Sequence, residues 1–135
     1  MMRHYVPDWT DWGISRDRYR ELQWFCRQYP QKKAEAASLL TVSGAGMDPM
    51  PHGSDPGDPT FRAVARREQL KHDIDMIESC ARMVDGGRWY AALIQNVCLG
   101  KPYAAIDTTI LPTSKRPTFF QQRRAFFVLL NEARG

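Results

Sequence analysis

Ser114, Lys115 and Arg116 stand just ahead of Thr118, Gln121, Gln122 and Arg124, and side chains of these types have the chemistry of a duplex-DNA contact. Lysine and arginine neutralise backbone phosphates. A glutamine amide pairs a donor with an acceptor and suits the major-groove edge of adenine, while small methyl-bearing groups suit thymine. On a helix turning about 100° per residue, Phe119, Phe120, Phe126, Phe127 and Leu130 share roughly a third of a turn. They form a core-facing stripe, and Thr118, Gln121, Gln122 and Ala125 project from the opposite or flanking sides. Ser114, Lys115 and Arg116 fall at the opening turn, where free backbone N–H groups and the positive end of the dipole favour a phosphate. Arg124 lies at the edge of the stripe, within reach of the sugar–phosphate backbone. Arg123 falls inside it, so it is expected to snorkel or to pair with an acid rather than to bind DNA.

The charge pattern singles out the same segment. Residues 101–135 hold six basic side chains (Lys101, Lys115, Arg116, Arg123, Arg124, Arg134) against Asp107 and Glu132, which accounts for the whole net charge of +4. The first 100 residues balance 13 basic against 13 acidic side chains. A surplus confined to one end is the footprint of a phosphate-neutralising surface, whereas an even spread would report solubility. A solvated amphipathic helix with a basic outer side produces part of the same pattern.

Other chemistries find little to stand on. His4, His52 and His72 have no ligand spacing with one another or with cysteine, so no metal or other cofactor is expected. Cys26, Cys80 and Cys98 are odd in number with no CxxC pair, which reads as buried thiols of a reducing compartment. Asp73, Asp75 and Glu78 read as a solvated helix face, with no nucleophile-and-base arrangement beside them. Gly44, Gly46, Gly53 and Gly57 lack a phosphate-loop lysine. The chain is therefore expected not to be an enzyme. No run approaches the roughly 18 apolar residues of a membrane span, and MMRHYVPDWTDWG lacks a signal-peptide core; the expected location is cytoplasmic, without membrane contact.

The elements that must position these residues are helical throughout. With 43% hydrophobic residues in 135, the chain suits one core, and the expected class is all-α: a small helical bundle with a C-terminal helix-turn-helix. Ser15 caps RDRYRELQWFCRQY, whose apolar face comprises Tyr19, Leu22, Trp24, Phe25, Cys26 and Tyr29. Pro30 kinks or restarts the helix, and QKKAEAASLL carries it to about Leu40. Residues 1–41 form an N-terminal helical arm, residues 42–59 a Pro- and Gly-rich loop, and residues 60–135 the helical core of one globular unit. Asp58 and Pro59 open the longest helix, along which Leu70, Ile74, Ile77, Ala81 and Val84 make a packing seam and Glu78 pairs with Arg82. Gly86 and Gly87 end it, and RWYAALIQNVCL turns Trp89, Tyr90, Leu93, Ile94, Val97 and Cys98 to the core before Gly100 stops it. KPYAAID is a short helical turn, TTILPT an irregular linker, and SKRPTFFQQRRAFFVLLNEAR the last helix, in whose first turn Pro117 is tolerated. That order is the one expected of a helix-turn-helix with one leading helix.

YRELQWFCRQYP, DPMPHGSDPGDPT, RREQLKHDIDMIE, GKPYAAI and LPTSKRPTFFQQRRAFFVLL together resemble a group of small prophage proteins of Gram-positive bacteria. That group is related to the ArpU and RinA type of phage late-gene regulators and is similar, in its last third, to the sigma-70 region 4 helix-turn-helix. The resemblance spans nearly the whole chain, with WFCRQYP and MPHG as its most specific parts. It implies a double-stranded-DNA-binding transcriptional regulator in a bacterial host cell, with Tyr103 and Ile106 packing the first helix and Ser114 to Arg124 forming the recognition helix. Against the usual pattern, the linker DTTILPTSKRP is long and apolar, and Pro117 moves the helix start toward Arg116. The N-terminal helices would pack this module, contact RNA polymerase or form a homodimer. Tyr19, Trp24, Phe25 and Tyr29 are the expected contact surface, because they exceed what one short helix needs for its own core. The alternative is a phage accessory protein that binds a host protein, RNA polymerase or a defence nuclease, through the acids Asp73, Asp75 and Glu78.

Overall fold

The computed structural model describes residues 13–45 and 58–135, and no strand occurs among them. Ser15 is extended and its Oγ accepts the Arg18 N–H at 3.1 Å, which opens α1, Arg16–Arg27. The chain pauses at Gln28, whose N–H returns to the Phe25 carbonyl, and restarts as α2, Tyr29–Ala45, with Pro30 in its first turn. There the missing N–H of Pro30 costs nothing. Asp58 caps α3, Pro59–Met83, by accepting the Thr60 N–H at 2.7 Å.

Helices occupy both ends of the loop expected over residues 42–59. Helix α2 continues to Ala45 and α3 already begins at Pro59. Gly44 lies within α2, where it costs about 1 kcal/mol relative to alanine. Residues 46–57, with MPHG and His52, lie outside the described residues, as does His4.

Helices α2 and α3 lie antiparallel, and three polar contacts set their register. Tyr29 donates its hydroxyl to Glu78 at 2.5 Å, Lys32 pairs with Asp73 at 2.8 Å, and Arg66 pairs with Glu35 at 2.9 Å. Glu78 also takes Arg82 at 3.9 Å, the expected i,i+4 pair, and Lys33 at 3.7 Å. The acids expected as a solvated, partner-facing patch are thus largely committed within the fold, Asp75 alone remaining exposed. Burial and the Glu78 carboxylate hold the Tyr29 hydroxyl well above the usual tyrosine range.

The predicted seam of α3 is buried at Leu70, Ile74, Ile77, Ala81 and Val84. Its C-terminal half joins α1, α4 (Tyr90–Leu93) and α5 (Arg116–Arg134) in one core around Leu22, Cys26, Trp89, Leu93, Phe119, Phe126, Phe127 and Leu130. Each fully buried side chain of this size contributes roughly 1.5–3 kcal/mol of transfer free energy. Helix α1 is therefore part of the core rather than an arm. Tyr19, Phe25 and Tyr29, expected to be surplus to packing, are 6–9% exposed, and Trp24 alone, at 70%, faces solvent. All three cysteines are buried free thiols. Hydrogen bonding to Cys98 and burial push the Cys26 thiol far above its ordinary range.

After α3 the chain turns sharply at residues 84–87. Asp85 takes φ 47°, followed by Gly86 at 65° and Gly87 at 86°. Trp89, buried, anchors the next helix, α4, Tyr90–Leu93, which widens into a π-turn over Ile94–Cys98. Gly100, at φ +73°, ends it, and a Cβ built there would lie 2.6 Å from Nη2 of Arg27. Gly100→Ala is expected to lower stability by about 1–2 kcal/mol from the left-handed backbone alone. A denaturant titration that finds no loss would contradict this account of the turn.

Candidate nucleic-acid interface

Two short turns deliver the last helix. Tyr103–Ala105 forms the first, at Pro102 as expected, and Thr108–Ile110 the second, in the stretch expected to be irregular. Asp107 creates the second turn by accepting both the N–H and the hydroxyl of Thr109 at 2.9 Å, which also holds its carboxyl below the usual range. Ile106 is buried, and the ring of the half-buried Tyr103 lies 5.2 Å from Phe119 and 6.0 Å from Phe120. The segment is one turn of tight helix rather than a full α-helix.

Helix α5 runs Arg116–Arg134, with Lys115 in the capping position and no side-chain cap. Ser114 lies outside the helix, its carbonyl accepting the Tyr103 hydroxyl at 3.3 Å. The opening turn offers fewer free amides than expected. Thr118 and Phe119 both donate to the Lys115 carbonyl, Lys115 donates to Thr113 Oγ1, and Pro117 has no N–H. Side-chain charge, more than backbone amides, is what this end presents to an anion.

Of the residues singled out from sequence, Ser114, Lys115, Arg116, Gln121 and Arg124 are exposed, and Thr118 and Gln122 are half-buried. Gln121 and Arg124 fall on the side of α5 opposite Phe119, Phe126, Phe127 and Leu130, all at 0% exposure, Thr118 and Gln122 flank that side, and Ser114, Lys115 and Arg116 stand at the helix opening. Phe120 is only half-buried. Its ring and that of Tyr103 lie beneath the Arg116 guanidinium, at 5.3 and 5.5 Å. Stacking fixes the plane of a guanidinium while leaving its N–H edges open to a phosphate. Phe120, four residues after Arg116, was legible as a helical neighbour; Tyr103 carried no such signal.

Arg123 does turn inward, yet among the described residues it meets no acid. Its Nε donates to Asn96 Oδ1 at 2.7 Å and its Nη1 to the Tyr19 hydroxyl at 2.5 Å, with the guanidinium 5.0 Å from the Phe127 ring. One arginine of the adjacent pair thus joins α1, α4 and α5, while Arg124 borders the outer side.

That outer side is also one wall of a groove. Gln121, Gln122, Arg124, Ala125, Val128 and Leu129 face Met83, Val84 and Asp85 across it. Asp85 was not anticipated there; its carboxylate accepts from Trp89 Nε1 at 2.9 Å and from Arg88 at 3.2 Å. Asp85, on a left-handed backbone, adds a negative charge to the groove wall, which the Arg88 guanidinium offsets. Among the described residues no cluster of ligands could hold a metal ion, and no helix is long and apolar enough to cross a membrane.

Comparison with protein-family models, with curated proteins and with solved structures finds no match to this chain.

Proposed function

We propose that this protein is a phage-encoded transcriptional regulator that binds double-stranded DNA through α5 and the turns before it, acting as a C-terminal helix-turn-helix of the sigma-70 region 4 kind. What supports this most is the division of α5. Four fully buried side chains lock one side into the core, Gln121 and Arg124 are presented on the other, and Lys115 and Arg116 stand exposed at the opening turn. A rigidly held helix with a polar, cationic outer side can enter a major groove with its N-terminal half, as recognition helices do. Lys115 and Arg116 then hold phosphates with Ser114 beside them, Gln121 and Gln122 meet base edges with Thr118, and Arg124 reaches the flanking backbone.

A phage accessory protein that binds a host protein such as RNA polymerase or a defence nuclease would need another surface, since Asp73 and Glu78 are engaged within the fold. The groove supplies one: Met83 is 64% exposed beside Val128 and Leu129.

Selection of bound duplexes from a random pool tests base reading. The natural chain is expected to enrich a sequence motif, and Gln121→Ala with Gln122→Ala to lose about 1–3 kcal/mol of discrimination at the bases they meet. Non-specific affinity should hold. Enrichment of the same motif, equally strongly, by both proteins would remove the glutamines from base reading.

A further inference from the structure

The outward side of α1 repeats the chemistry of the α5 opening. Arg16, Arg20 and Arg27 follow at spacings of four and seven, within about 40° of arc on a helix, and all three are exposed. Among the described residues none of them pairs with a carboxylate, although Asp17 and Glu21 lie on the same helix. Trp24, 70% exposed, stands beside Arg20 and Arg27 at the rim of a shallow hollow.

This stripe leads toward α5. The Arg27 guanidinium lies against Gly100, so close that a side chain at residue 100 would place its Cβ 2.6 Å from Nη2. Lys101 follows, exposed, its carbonyl held by Asn96 at 3.0 Å. Two residues later Tyr103 carries Arg116 over its ring. Basic groups therefore succeed one another from α1 across the residue-100 turn to the α5 opening.

We propose that the outward face of α1 is a second duplex-DNA contact, in which Arg16, Arg20 and Arg27 neutralise backbone phosphates and Trp24 packs against the sugar edge. It rests on the DNA-binding function proposed above, and it extends that contact beyond the terminal helices. Arg16 to Arg27 rise ~16 Å along the helix axis, a length over which one strand of B-DNA places about five phosphates. Charge complementarity favours a polyanion: three exposed arginines share one face, and among the described residues no carboxylate is paired with any of them. One small helix-turn-helix buries little surface, and a second anchor supplies affinity that its recognition helix lacks.

The test is the salt dependence of full-length protein binding to a random-sequence duplex between roughly 50 and 200 mM salt. Changing Arg16, Arg20 and Arg27 together to Gln is expected to reduce the slope of log affinity against log salt by about 2.7, at 0.9 per lost contact. The same three positions as Lys should keep the slope. Because Arg27 lies on Gly100, Arg16→Gln with Arg20→Gln serves as a second variant, with an expected loss of about 1.8. Natural protein that binds while the glutamine variants keep its slope would overturn the α1 contact and leave the α5 contact standing. Natural protein that binds no duplex at low salt would overturn both.

Discussion

Replacing Lys115 and Arg116 together by alanine is expected to weaken binding to any duplex by roughly 10- to 100-fold and to reduce the salt slope by about two. Both side chains are exposed and neither makes a side-chain capping hydrogen bond, so melting should stay close to that of the natural chain, within about 1 kcal/mol. Arg116 also stacks on Tyr103 and Phe120, a contact worth about 0.5–1 kcal/mol at an exposed site. Arg116→Lys therefore separates the two contributions: it keeps the charge and the slope but gives up the planar edge that stacking orients. Fluorescence anisotropy with a labelled random duplex reads the affinity, and calorimetry reads the fold. Undiminished binding by the double variant would take phosphate contact away from the α5 opening.

The adjacent arginine pair should behave oppositely. Arg123→Ala is expected to destabilise the protein by about 2–4 kcal/mol, because it leaves Asn96 and the Tyr19 hydroxyl without a charged donor and opens space beside Phe127. For a domain of this size that corresponds to a fall in Tm on the order of 10 °C. Below the new melting point its salt slope should match that of the natural chain. Arg124→Ala should do the reverse, removing about one from the slope and little from the stability. Loss of slope on changing Arg123, with no fall in Tm, would mean that its guanidinium faces the nucleic acid rather than Tyr19 and Asn96.

Local pattern carried much of the fold. The α3 seam from Leu70 to Val84, the Ser15 and Asp58 caps, the break at Gly86 and Gly87, and the phenylalanine stripe of α5 all depend on neighbours within a turn or two, and these are visible as spacing. The inward position of Arg123 was legible for the same reason. Its partners were not: Asn96 and Tyr19 lie 27 and 104 residues away, and nothing local ties them to it. Asp73 and Glu78 were misplaced on the surface for that reason too, since Lys32 and Tyr29 reach them only once α2 folds back on α3. The aromatic face of α1 shows the limit from the other side. Its composition suggested excess, but a central helix is packed by α4 and α5 as well as by α2, and three of the four rings are consumed. Within the candidate interface Gln121 and Arg124 followed from helical phase, and Lys115 and Arg116 from the expected helix start. The amide-poor opening turn and the acid at Asp85 followed from backbone detail that phase does not encode.

The most direct measurement is binding of the purified full-length chain to a random-sequence duplex and to the DNA upstream of its own coding sequence, at low and at near-physiological salt. Binding should be tight at low salt, should weaken steeply as salt rises with a slope set by the phosphates contacted, and should persist longer on a duplex that contains a recognised site. No binding to either duplex at low salt would contradict a DNA-binding role for α5 and would turn attention to a host protein seated on the Met83, Val128 and Leu129 groove.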